Sequence, residues 1–245
     1  MKKLMYLILG VSVYILIGCT SNTTIDLKPT QFDMYKGLCA NDDIKGCYAL
    51  GQMHAKGIGT RKSYYRARIA YAKACHKIDL TNKEDNSISY HTNACYELGQ
   101  FYLKGKGIRK SYYKAKKLFE TTCKQGHNKS CSDLGYLYLN GTGIKQNNRL
   151  AAAYFNEGCK DNDAKGCYGL GLCYLTGQGV KRNYTKSRES FTEACDKHYA
   201  LGCYNVGSIY ENGNGIAENN KEAKNYYRKA CENGLKEGCL SHDRL

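Results

Sequence analysis

Residues 95–107 read Cys95-Tyr96-Glu97-Leu98-Gly99-Gln100-Phe101-Tyr102-Leu103-Lys104-Gly105-Lys106-Gly107, and the same grammar opens five units along the chain, at Cys47, Cys95, Cys131, Cys167 and Cys203. Apolar positions fall at i, i+3 and i+7, as in Cys131, Leu134 and Tyr138, which is one face of a helix. Gly51, Gly99, Gly135, Gly171 and Gly207 share one place inside that helix, here called helix A. Glycine there costs about 1 kcal/mol against alanine, so a packing reason is expected, and two closely approaching helices would supply it. A G-x-G turn follows in every unit: Gly57/Gly59, Gly105/Gly107, Gly141/Gly143, Gly177/Gly179 and Gly213/Gly215. No strand precedes it and no third glycine follows at phosphate-loop spacing, so it reads as a left-handed cap ending helix A. Helix B comes next, with small residues at Ala67, Ala115, Ala151, Ser187 and Ala223 and aromatics at Tyr71, Phe119, Phe155, Phe191 and Tyr227. Positions four apart stack on one face, which is expected to pack against helix A.

The cysteines keep the same clock. Cys39, Cys75, Cys123, Cys159, Cys195 and Cys231 are each followed by a second cysteine, at Cys47, Cys95, Cys131, Cys167, Cys203 and Cys239. Partners stand eight positions apart except Cys75 and Cys95, and each second cysteine precedes the next first cysteine by 28, a period of 36. Such a period marks a repeat array whose units cannot bury their own apolar faces alone. Pairs this regular read as disulfides of an oxidising compartment. Structural zinc would want paired CxxC-type spacing, and the chain has no CxxC. Closing a loop of roughly eight residues contributes about 2.5 kcal/mol in the chain-entropy model. Each bridge would bolt helix B of one unit to helix A of the next. Residues 30–39 read as a lone helix B capping the front, and Lys236–Leu245 as a truncated helix A capping the back.

At the N-terminus Lys2 and Lys3 precede an apolar stretch from Leu4 to Ile17, too short for a comfortable membrane span and suited to a signal h-region. Leu16-Ile17-Gly18-Cys19 resembles a bacterial lipobox, which implies a lipoprotein signal over 1–18 and lipidation of Cys19; a plain signal peptide containing Cys19 is the alternative. Residues 19–30 read as a tether. Thr20 after the cysteine favours the outer membrane under the familiar sorting rule; the other destination is secreted or periplasmic. Membrane contact is expected through that lipid alone. The net charge of +15 suggests affinity for anionic surfaces or ligands, or else a solvated face, since the lysines are spread across the units. No nucleic-acid partner is expected of an exported chain.

The grammar C/A-x-x-L-G-x-x-Y-x-x-G-x-G-V/I, followed by an alanine-rich helix ending in A-C, resembles Sel1-like repeats. The spaced cysteines narrow the resemblance to the Helicobacter cysteine-rich protein family of secreted Sel1-like proteins. It covers about residues 31–242 and implies an all-α fold, an α/α solenoid of tetratricopeptide-like helix pairs wound into a right-handed superhelix. The polar insertion over residues 79–90 departs from it and should bulge one junction. The resemblance also implies penicillin binding and weak β-lactamase activity, which requires a nucleophile. One S-x-x-K exists, Ser111 to Lys114, with no S-D-N or K-T-G. Ser111 also stands where helix B begins, where serine caps exposed amides. His54, His76, His91, His127, His198 and His242 form no H-x-x-x-H or H-x-H pair, so no metal is expected, and no cofactor. Cys173 occupies a helix A core position and reads as a buried free thiol.

A binding groove is the remaining candidate. By analogy with tetratricopeptide solenoids, helix A lines the concave face. The analogy selects Tyr48, Tyr96, Tyr168 and Tyr204, with Gln52 and Gln100 one turn on and Lys45, Asn93, Lys129 and Lys165 nearby. Tyrosine offers rigid amphipathic area and lysine charge attraction. Such a groove suits a peptide, a protein or a peptidoglycan fragment with a free carboxylate, bound by a monomer. The competing reading is that these tyrosines merely pack between helices, in a chain with 23 Tyr, 5 Phe and no Trp.

Overall fold

The computed structural model describes residues 7–8, 11–12, 30–76, 87–160 and 163–245. The expected signal segment, tether and Cys19 lipidation site fall outside the described residues, apart from the short antiparallel pairing of β1 (Leu7–Ile8) with β2 (Val11–Ser12). From residue 30 onward the described chain is helical. The B helices are α1 (Gln31–Ala40), α3 (Tyr64–His76), α5 (Tyr112–Lys124), α7 (Asn148–Lys160), α9 (Tyr184–Asp196) and α11 (Asn220–Glu232). The A helices are α2 (Ile44–Lys56), α4 (Ser87–Lys104), α6 (Asn128–Asn140), α8 (Ala164–Thr176), α10 (Ala200–Glu211) and α12 (Lys236–Arg244). Of the expected insertion, residues 79–86 lie outside the described residues. Residues 87–90 are helical and lengthen α4 to 18 residues, against 13 in α2, α6 and α8.

Local chemistry explains the punctuation. The B helices after α1 open on Ser63, Ser111, Asn147, Asn183 and Asn219, whose side chains accept backbone amides of the first turn at 2.9–3.3 Å. The same five residues donate their own amides to the carbonyls of His54, Tyr102, Tyr138, Tyr174 and Tyr210 at 2.8–2.9 Å, so all five turns close on one hydrogen bond. Left-handed glycines end α2, α6 and α8 as expected. In the fifth turn α10 stops one residue earlier, at Glu211, with the amide and side chain of Asn212 both donating to the Ser208 carbonyl, and Gly213 stands left-handed at φ +63° in the expected place.

Within each unit an aromatic ring of helix B lies against the helix A glycine. A Cβ at Gly51, Gly99, Gly135, Gly171 or Gly207 would fall 2.5–2.8 Å from Tyr71, Phe119, Phe155, Phe191 or Tyr227 respectively. Those rings are 0–2% exposed. The glycine thus gives the ring a seat, and the packing term repays its cost in helix propensity.

Between units the six expected disulfides are all present, with Cα–Cα distances of 4.4–4.9 Å. A bridge this short brings the end of helix B onto the start of the next helix A, and the residue before the second cysteine must be small. Gly46, Ala94, Ser130, Gly166, Gly202 and Gly238 stand there. A Cβ at Gly166 or Gly238 would lie 2.9 or 2.8 Å from the backbone nitrogen of Cys159 or Cys231. Stacking is closed a second time at the turns. Gly107, at φ +65°, rests on the Tyr64–Tyr65 peptide of the preceding unit, where a Cβ would come within 2.5–2.7 Å of backbone. All described core residues fall between Cys39 and Ser241, so residues 30–245 carry their own core and all six bridges.

Gly99→Ala should therefore lower stability by about 1–3 kcal/mol through overpacking on Phe119. Gly37→Ala, in α1 with open space at the Cβ, should raise it by about 0.5–1 kcal/mol. Denaturant unfolding of both variants checks the opposite signs.

Candidate functional site

Non-sequential packing follows the A helices, with α2 against α4, α6 against α8 and α10 against α12. Helices that touch across units lie on the shorter arc of a stack, so the A layer is the inner one. Its centre is a carboxylate that the sequence reading did not single out. Asp133 on α6 is 7% exposed. Its Oδ2 accepts the Tyr96 hydroxyl at 3.1 Å and the Gln100 amide, both from α4. Its Oδ1 takes the Lys165 ammonium of α8 at 2.5 Å. Three consecutive units thus meet on one acid. Lys165 Nζ also sits 4.6 Å from the Tyr136 ring centroid, a cation–π contact beside the ion pair.

The other expected groove residues distribute around this hub. Asn93 Oδ1 lies 3.2 Å from His127 Nε2, and the His127 and Tyr96 rings are 4.6 Å apart. His127 caps α6 by accepting from the Ser130 amide. Burial, reinforced by Lys129, holds its imidazole below the usual range. Burial holds Glu97 above the ordinary carboxylate range, against the pull of Lys104 and Lys129. At the front, Gln52 donates to the Tyr48 hydroxyl at 2.9 Å, Tyr48 packs on Tyr71 and Tyr90, and Lys45 lies over Tyr90. Tyr90 comes from the stretch read as insertion. Towards the back, Tyr168 packs between Phe191 and Tyr199, and Tyr204 on Tyr227. Tyr96 makes the same contact with Phe119, so all four tyrosines lean on the helix B ring of their own unit. Burial raises the pKa of Tyr48, Tyr96, Tyr136 and Tyr168 alike, so the face presents neutral phenols. Lys45 and Lys129 are exposed at its rim.

The enzymatic candidates are engaged elsewhere. Ser111 Oγ accepts the Lys114 amide at 3.3 Å as the cap of α5, and the Lys114 ammonium sits 5.3 Å from the Tyr102 ring centroid. Cys173 is 1% exposed, and burial pushes its thiol up to about 11. Cys159, Cys167 and Glu193 bring ligand-type atoms within 4.8 Å, but the two sulfurs are bonded to each other. A cleft of about 280 Å³ between α7, α8 and α9, lined by Leu170, Tyr174, Lys186 and Glu189 among others, includes none of the groove residues.

The geometry is that of a helical-repeat binding scaffold. Residues 44–77, 92–127, 128–163, 164–199 and 200–235 each match the Sel1 repeat, and the chain belongs to that family. Sel1 repeats generally mediate protein–protein interaction. A Sel1 repeat protein from Oxalobacter formigenes superposes with a TM-score of 0.73 at 23% identity, covering 86% of this chain and 80% of that one. The c5321 protective antigen of uropathogenic Escherichia coli, which displays an SLR fold, gives 0.60 at 24% identity over 87% of this chain and 51% of its own. Cysteine-rich protein B of Helicobacter pylori is 27% identical over 52% of this chain and 91% of its own, with a TM-score of 0.43. No curated protein matches the sequence.

Two outcomes follow. Asp133→Ala, which strips three donors of their shared acceptor, should cost about 1–3 kcal/mol. Lys165→Ala, at a side chain 44% exposed, should cost less than about 1 kcal/mol; paired urea titrations measure both. For His127 the folded pKa is depressed from 6.5, so the unfolded chain takes the proton first. Its contribution is complete above pH 6.5 and declines as pH falls below it. Stability measured from pH 8 to pH 5 should fall less steeply in His127→Asn, which keeps a capping side chain.

Proposed function

We propose that this chain is an exported, lipid-anchored Sel1-like repeat protein whose inner, A-helix face binds an extended peptide, protein segment or peptidoglycan-derived fragment bearing a free carboxylate. The observation that carries the reading is the Asp133 hub. Asp133 gathers Tyr96 and Gln100 of one neighbouring unit and Lys165 of the other into one polar floor, with Lys129 exposed near His127 and Glu97 and Lys45 exposed further forward over Tyr90. A floor already ordered loses little side-chain entropy on binding, and lysines at its rim attract a carboxylate. Export is supported by six disulfides, which persist in oxidising compartments. Anchoring is supported by the lipobox-like residues ending at Cys19, with an outer-membrane lipoprotein preferred over a freely secreted or periplasmic form. Opening of a β-lactam ring rests on the family resemblance alone, since Ser111 and Lys114 have other partners.

Calorimetric titration of oxidised residues 30–245 with muropeptides, carrying free or amidated terminal carboxylates, tests this. Binding should favour the free acid and weaken about tenfold in Lys45→Ala/Lys129→Ala, with the unfolding midpoint unchanged. Equal affinity for parent and variant, or no preference for the free acid, would reject the groove as drawn.

A further inference from the structure

We propose that the turn edge of the first two units docks directly onto the surface of an anionic phospholipid bilayer, in addition to any contact made by an N-terminal lipid and independently of the inner face.

Along the sequence the basic residues are dispersed, but the fold collects them. The A-to-B turns carry Arg61-Lys62, Arg109-Lys110, Lys145 and Lys181-Arg182, whereas the fifth carries Ala217-Glu218. These turns stack because the second glycine of each rests on the start of the preceding helix B: Gly107 on Tyr64, Gly143 on Tyr112, Gly179 on Asn148 and Gly215 on Tyr184. Lys62 and Lys106, from successive units, therefore converge on one ring, each ammonium 5.1 Å from the centroid of Tyr64.

The charge at the front of this edge is unbalanced. Residues 44–78 and 98–119 contain no Asp or Glu. Arg61, Lys62, Lys106, Arg109 and Lys110 are exposed, and among the described residues none of them makes an ion pair with a carboxylate. Basic residues within the helices behave differently: Lys73 pairs with Asp42, Lys116 with Glu120, Lys197 with Glu193 and Arg228 with Glu232. A basic edge alone would fit any polyanion. What selects a bilayer is the apolar area set among the charges, with Ile58 50%, Tyr65 60%, Ile69 45% and Tyr113 70% exposed. Tyrosine partitions to the headgroup level of a membrane and isoleucine to the acyl boundary, while lysine and arginine meet the anionic headgroups.

Sedimentation of oxidised residues 30–245 with vesicles of phosphatidylcholine, with and without one third phosphatidylglycerol, tests the proposal. Binding should require phosphatidylglycerol and fall with salt. Each basic side chain near such a surface contributes about fivefold, so Arg61→Gln/Lys62→Gln/Arg109→Gln/Lys110→Gln should lose more than about a hundredfold. Lys221→Gln/Lys224→Gln/Lys229→Gln/Lys236→Gln, with the same loss of charge at the far end, should lose less than about fivefold. Equal losses in the two variants would reduce the effect to net charge and overturn the proposal, as would binding independent of phosphatidylglycerol. Tyr65→Ser/Tyr113→Ser should weaken vesicle binding without altering binding to soluble polyphosphate. If it alters neither, a soluble polyanion and not a bilayer is the partner of this edge, and the proposal fails.

Discussion

Each helix B ends against the start of the next helix A at a disulfide whose Cα atoms are 4.4–4.9 Å apart, and the rest of the molecule is arranged around that approach. The distance excludes any residue larger than serine before the second cysteine, which is why glycine, alanine and serine share the place from Gly46 to Gly238. With the junction pinned, the angle between successive units is fixed, and that angle lays each G-x-G turn on the preceding helix B. Both proposed surfaces are consequences of it. Along the inner layer it brings Tyr96, Gln100 and Lys165 to Asp133. Along the turn edge it stacks the basic doublets.

Inside a unit a second constraint operates. The ring of Tyr71, Phe119, Phe155, Phe191 or Tyr227 occupies the space that a glycine leaves open in the facing helix. Burying an aromatic side chain contributes about 2–3 kcal/mol, more than the roughly 1 kcal/mol a mid-helix glycine costs. Neither unit nor junction is sufficient alone, because a helix pair this small exposes one face. The array is stabilised through nearest-neighbour interfaces. Its ends are finished separately. Thr30 and Asp33 form a capping box on α1, and Arg244 and Tyr227 both engage Glu211 at the back.

Much of this was legible in the sequence because it depends on spacing. Glycine and aromatic positions, caps and cysteine pairs repeat at fixed offsets, and each repeat confirms the others. The inner face was less legible. The residue after each second cysteine pointed to Tyr48, Tyr96, Tyr168 and Tyr204, and all four pack alike on the helix B ring of their own unit; Tyr96 alone of them reaches Asp133. Asp133 itself reads in sequence as one more surface acid, occupying a place held by Ala49, Glu97, Gly169 and Asn205 in the other units. Its three donors come from neighbouring units, so no local pattern announces it. The charge was misleading in the opposite direction, since lysines scattered over the chain become contiguous only when the turns stack.

The central claim is that every junction is closed locally, first cysteine to next cysteine. Peptide mapping of the oxidised, non-reduced chain tests it directly. The account requires six nearest-neighbour bridges, Cys39–Cys47 through Cys231–Cys239, with Cys173 recovered as a thiol that alkylates only after unfolding. A bridge joining cysteines of non-adjacent helices, or Cys173 found in a disulfide, would contradict it.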